Sequence, residues 1–114
     1  MRVTSDLWVS ALLRRVFADG GFAAIRRRGG TEAGAIYVLR RERSGELDLY
    51  GPAPQTSYAE ARPEERLFTC ALSKAGEEEV EARLEREMRF DPDVWIVEIE
   101  TGREMSTYLA LAAD

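Results

Sequence analysis

Two short runs in the sequence bring residue types capable of chemistry close together. In Asp91-Pro92-Asp93 two carboxylates lie two residues apart. In an extended segment such a pair binds one magnesium ion or shares a proton, which is acid-base equipment. The same residues also suit a turn, because aspartate hydrogen-bonds the backbone around a proline, and the turn is the simpler reading. The second run is Arg26-Arg27-Arg28-Gly29-Gly30. Glycine lets backbone amides approach an anion and arginine clamps it, so Arg26, Arg28, Gly29 and Gly30 are candidate contacts for an anionic ligand. Glu32 is the only other acid set within this glycine-rich stretch. Two features weigh against a phosphate loop. Neither G-x-G-x-x-G nor a glycine loop followed by Lys and Ser/Thr is present, and the run joins strand to strand. Alternation along a strand also sends neighbouring arginines to opposite faces, so an exposed hairpin end is the simpler reading here.

The 114 residues include no histidine and one cysteine. Without histidine there is no Ser-His or Cys-His nucleophile pair and no mixed Cys-His zinc site. With Cys70 alone, internal disulfides and thiolate cages go too. Any enzyme is narrowed to carboxylate, arginine or magnesium chemistry, with Asp91 and Asp93 as its catalytic candidates. No metal or cofactor is expected. Cys70 stands among Leu67, Phe68 and Leu72, where a buried, unreactive thiol is the expectation.

The net charge of −5 conceals an asymmetry. Residues 1–57 carry nine arginines against six acids, while residues 58–114 carry seven bases against fifteen acids. A single domain that folds the halves together neutralises them. The alternative is a basic face offered to phosphate or nucleic acid. If the expected hairpin forms, Arg40 and Arg41 come close to Arg14 and Arg15 near a helix C-terminus, where each cation is favoured by about 0.3–1 kcal/mol. A pI near 4.9 weighs against nucleic acid, as does the scarcity of aromatic platforms for bases.

These residues need elements to position them. Asp6 to about Asp19 reads as a helix, capped by Ser5 or Asp6 and stopped by Gly20-Gly21. The apolar run Leu7–Leu13 inside it is too short to span a membrane, and no secretory cleavage site follows it. Phe22–Arg28, Ala35–Arg41 and Leu47–Tyr50 read as three strands of a meander, the first two joined by the glycine-rich loop. Gly51–Arg66 has no period and is interrupted by prolines. Loops of that length are often functional, and Gln55, Tyr58 and Arg62 within it are candidate partner contacts. Leu67–Leu72 resumes strand character. Glu77 to about Phe90 is a second helix, with Val80, Leu84 and Met88 on its apolar stripe. In Val94–Glu100, Trp95, Val97 and Ile99 take one face and Val94 and Ile96 the other. That strand and Ala35–Leu39 are therefore central. Both need helices above and below, or a second subunit.

Four phrases occur together in this chain: RRRGGTEAGAIYV, LYGPAPQ, RLFTCAL and EVEARLEREMRFDPDVWIVEIE. With the opening helix, this combination resembles a family of small bacterial proteins known as domain of unknown function 1491, over about residues 2–101. The resemblance implies a small α+β domain and no assigned activity, cofactor or catalytic residue. The expectation is one α+β domain over residues 1–114, with a mostly antiparallel sheet of about five strands and two main helices. Functionally it is a small cytoplasmic non-enzymatic binding or adaptor protein with an unidentified protein partner and no membrane segment. The alternatives are an enzyme acting on an anionic nucleotide or phosphometabolite and a nucleic-acid-binding module. A homodimer follows if one face of the central strands lacks a helix.

Overall fold

A computed structural model describes residues 3–54 and 66–112. The order of elements is α1 (Ser5–Ala18), β1 (Phe22–Arg27), β2 (Ile36–Arg41), β3 (Leu47–Pro52), β4 (Leu67–Ala75), α2 (Glu77–Phe90) and β5 (Trp95–Glu100). A single 3-10 turn (Met105–Thr107) and a two-residue strand, β6 (Ala110–Leu111), follow. The candidate contacts Gln55, Tyr58 and Arg62 lie outside the described residues. Among the described residues, no helix is long and apolar enough to cross a membrane.

The sheet is mixed and has six strands in the order β1-β5-β2-β3-β4-β6, which corrects the expectation of five mostly antiparallel strands. β5 enters between β1 and β2, pairing antiparallel with the first and parallel with the second. The expected β1–β2 hairpin is therefore split, and the meander begins only at β2–β3. The reason is burial. β5 is apolar on both faces, so it gains most by taking an interior position. The sixth strand comes from the tail, where Ala110 and Leu111 pair parallel with Leu67 and Phe68.

The alternation of β5 sorts the core into two layers. Trp95, Val97 and Ile99 pack with Val9, Leu12 and Val16 of α1 and with Met105, Tyr108 and Leu109 of the tail. Val94 and Ile96 pack with Val80 and Leu84 of α2 and with Leu39, Leu47 and Leu49. Each face of the central strands thus has a helix over it, and the condition that called for a second subunit is not met. Removing a side chain such as Leu84, 2% exposed, costs about 2–5 kcal/mol through lost burial and the cavity left behind.

Local chemistry sets the remaining boundaries. The N-cap of α1 is Thr4, whose hydroxyl accepts the Leu7 N–H, in place of Ser5 or Asp6. Ser5 is instead buried, and its hydroxyl donates to the Gly34 carbonyl at 2.7 Å. β4 runs past Leu72 to Ala75 because a bulge absorbs the extra residues opposite β3. There Lys74 adopts φ 50°, held by its N–H donating to the buried Asp48 carboxylate at 2.9 Å. Cys70 is exposed rather than buried.

Part of the charge asymmetry is consumed inside the fold. Arg41 pairs with Glu98 of β5 at 2.9 Å and with Glu77 of α2 at 3.0 Å. Arg26 pairs with Glu81 of α2 at 2.8 Å and lies 3.8 Å from Glu98. Glu77 and Glu81 are one helical turn apart, so two arginines from the basic half tie α2 down over β5.

Candidate functional site

Splitting the hairpin dictates the shape of the glycine-rich loop. To join β1 to β2 it must cross the start of β5, a span of about 10 Å between strands that are not neighbours. It crosses at Asp93. A Cβ on Gly29 would lie 2.1 Å from the Asp93 carbonyl oxygen, and one on Gly34 would lie 2.0 Å from the same atom. The carbonyl is gripped between two glycines, and no side chain fits at either position. Gly30 N–H donates to it at 2.9 Å.

Three further sets of contacts hold the loop. The Trp95 indole N–H donates to the Gly30 carbonyl at 2.8 Å, and the Trp95 backbone N–H donates to Ala35 at 2.7 Å. The Asp6 and Ser5 amides, free donors at the start of α1, reach the Thr31 and Glu32 carbonyls at 3.0 and 3.2 Å. A helix start leaves such donors without partners, and here the loop caps them. Beneath, Asp91 accepts the Asp93 N–H on its carboxylate at 2.9 Å, which is the turn chemistry that a proline flanked by aspartates favours. Arg27 donates to the Pro92 and Val94 carbonyls at 3.0 and 2.7 Å.

The result is a cleft of about 650 Å³ between residues 30–34 of the loop and the turn, bordered by Glu32, Asp91 and Asp93. Thr31, Glu32 and Ala33 are exposed above it. Phe90, directly before Asp91, is 82% exposed. The Gly-rich loop and the paired aspartates, remote in sequence, therefore form one surface. Among the described residues no group of three acidic or sulfur ligands is close enough to hold a metal ion.

Arg26 and Arg28 do not join them. A bulge at Arg26 interrupts the alternation of β1, since Ile25 faces Val97 and Arg27 faces the next residue, Ile96. Arg26 leaves toward α2. Arg28 leaves toward α1, 3.4 Å from Asp6 and 5.4 Å over the Trp95 ring. Of the second group (Arg14, Arg15, Arg40 and Arg41), Arg15 donates to the Thr107 carbonyl and stands over Tyr108, Arg40 donates to Thr101 at 3.2 Å and Arg41 pairs with Glu98 and Glu77, so these three turn to different partners. Sequence reasoning missed Ser5 and Trp95 as the groups that hold the loop. The signal for Trp95 was its place two residues after Asp93; for Ser5 there was none.

Comparison with other proteins matches residues 3–109 to the family described as "Protein of unknown function (DUF1491)". The solution structure of protein Atu0922 from A. tumefaciens is 51% identical, with a TM-score of 0.85 over 100% of this chain and 98% of that one. A crystal structure of a DUF1491 family protein from Caulobacter crescentus CB15 is 33% identical, with a TM-score of 0.77 over 97% and 99% of the two chains. An NMR structure of a DUF1491 family protein from the same organism is 32% identical, with a TM-score of 0.76 over 99% of each chain. No curated protein matches.

Proposed function

The chain belongs to the DUF1491 family, and from that premise we propose that it is a small cytoplasmic, non-enzymatic binding protein whose contact surface is the acidic cleft under the glycine-rich loop. The observation that carries this reading is the clamped loop. Its exposed tip, Thr31–Ala33, is held by hydrogen bonds from α1 to the Thr31 and Glu32 carbonyls and from Trp95 to the neighbouring Gly30 carbonyl, and among the described residues no hydrogen bond or ion pair engages the tip's own side chains. A surface ordered in advance loses little conformational freedom on binding. Glu32, Asp91 and Asp93 border the cleft without an arginine or lysine among its lining residues, so the complementary partner is a protein presenting lysine or arginine, with an apolar neighbour to meet Phe90. The aspartates belong to this surface as contact residues, and Gln55, Tyr58 and Arg62 belong to the same proposal as a second contact segment. The single free thiol suits a reducing compartment.

The test is affinity capture from bacterial extract with the wild-type protein and with Glu32→Arg and Asp93→Lys, both at exposed positions. Partners recovered by the wild type and lost by both variants, with unchanged circular dichroism, support the reading. Identical partners for all three proteins would sink it.

A further inference from the structure

The opposite end of the central strands carries a different surface. β2 and β5 are parallel neighbours, so their carboxyl ends emerge side by side. From there β2 turns back toward β3 while β5 runs into the tail, and the diverging chains leave a crevice, as they do where ligands bind open α/β sheets. The turn after α1 forms its third wall. Gly21 approaches so closely that a Cβ there would lie 2.7 Å from the Glu100 carbonyl. The cleft has a volume of about 690 Å³, and Arg40, Arg41, Arg43 and Arg103 line it.

Two of these arginines are already balanced. Arg41 holds Glu77 and Glu98, and Arg103 lies 3.4 Å from Asp19. Arg40 and Arg43 have no carboxylate partner among the described residues. Arg40 is half-buried, with one hydrogen bond to the Thr101 carbonyl, and its Nε, shut off from water, has no acceptor among the described residues. A guanidinium partly withdrawn from water, without a counter-charge and with an unmet donor, is unfavourable. An oxyanion supplies the missing counter-charge, meeting the guanidinium through its Nη groups, since an Nε closed to water is closed to a ligand oxygen as well. The Arg15, Val16 and Phe17 carbonyls at the end of α1 are already taken by the Asp19, Gly20 and Gly21 amides.

We propose that this cleft is an oxyanion-binding site, in which Arg40 and Arg43 grip a phosphate or carboxylate group of a small molecule and Arg103 stands at the rim. Asp19, Glu42 and Glu100 share the lining, so with Arg41 and Arg103 already paired the cleft is close to neutral overall. Two arginines left to receive an anion suffice for a single anionic head group and are too few to track a nucleic-acid backbone. It is separate from the loop cleft and does not depend on the binding role proposed for it.

The arginine Nε–H gives a direct readout in ¹H–¹⁵N NMR. Inorganic phosphate and, separately, acetate are titrated at constant ionic strength into the full chain. The expected result is saturable shifts of the Arg40 Nε–H and of the Thr101 and Gly102 amides for at least one of the two anions, and the tighter anion identifies the head group. Arg43→Gln, at an exposed position, weakens binding at least fivefold and Arg40→Gln at least tenfold, while Arg14→Gln leaves it unchanged. Shifts that grow linearly and are reproduced by chloride overturn the proposal. So does an unaltered affinity in Arg43→Gln, which decides the matter even where Arg40→Gln fails to fold.

Discussion

Replacing Gly34 by alanine tests whether the loop is as tightly clamped as its geometry implies. The new Cβ would stand 2.0 Å from the Asp93 carbonyl oxygen, whereas carbon and oxygen in contact keep about 3.3 Å apart, so the loop must move by about 1.3 Å. That displacement takes the Gly34 carbonyl away from the Ser5 hydroxyl, now at 2.7 Å, and the Ala35 carbonyl away from the Trp95 amide, also at 2.7 Å. Both would open to about 4 Å, beyond hydrogen-bonding range. Each lost bond leaves a buried donor unsatisfied at about 1–3 kcal/mol, for a total of about 2–6 kcal/mol. In a domain of this size each kcal/mol lowers Tm by about 4 °C, so the expected fall is about 8–24 °C. Equilibrium urea unfolding followed by tryptophan fluorescence and circular dichroism measures the loss. Gly102→Ala is the control, since a Cβ there meets nothing within 4 Å, and its stability should stay within about 1 kcal/mol of wild type. A Gly34→Ala protein with the wild-type urea midpoint refutes the clamp, and with it the argument that the loop tip is pre-organised.

Further outcomes follow from the ion pairs and the buried hydroxyls. Glu98→Gln removes the carboxylate shared by Arg41 and Arg26 and should cost about 1–3 kcal/mol in urea titration, with the loss shrinking when Arg41 is also replaced by glutamine. Burial raises the Tyr37, Tyr50 and Tyr108 phenols above their usual value near 10, with Glu87, Cys70 and Asp19 respectively adding to the rise. The stability these neutral phenols contribute is complete below pH 10 and is lost as pH rises above it. Absorbance at 295 nm should therefore show these three phenols ionising at higher pH in the folded protein than in protein unfolded by urea. Cys70 is exposed, yet partial burial and the nearby Asp48 carboxylate hold its thiol above the usual value. Iodoacetamide should label it fully but slowly at pH 7, and Asp48→Asn should speed the reaction, provided its circular dichroism is unchanged.

The parts of the fold legible in sequence were those with a local period. The two faces of Val94–Glu100 sort as the alternation predicts, because each side chain answers to the layer directly above or below it. The stripe Val80, Leu84, Met88 likewise turns toward the sheet. The β1–β2 hairpin failed because its evidence was only proximity along the chain. What separates the two strands is β5, whose pairing of Ile36 with Trp95 joins residues far apart in sequence, and no local pattern reports such a pairing. Two residues are also too few to show a period, which hid β6. The bulge that turns Arg26 and Arg28 to different helices is equally silent, since one inserted residue leaves the composition of the strand unchanged.

The same topology explains why the two clefts differ in chemistry. A strand inserted between β1 and β2 obliges the connection to pass over one end of it, and passing over a carbonyl at contact distance selects glycine. The glycines that resembled a phosphate loop are thus accounted for by a crossing, and the Gly30 amide and the Gly30 and Gly34 carbonyls are occupied by Asp93, Trp95 and Ser5. At the other end the parallel pair β2 and β5 needs no crossing, so the chain diverges and a crevice stays open. Arg40 and Arg43 come from the exit of β2, Arg103 from the exit of β5. The basic half of the chain meets the acidic half there, and among the described residues Arg40 remains without a carboxylate. An anion site is therefore to be sought where parallel strands part, away from the arginine-glycine run that first suggested one.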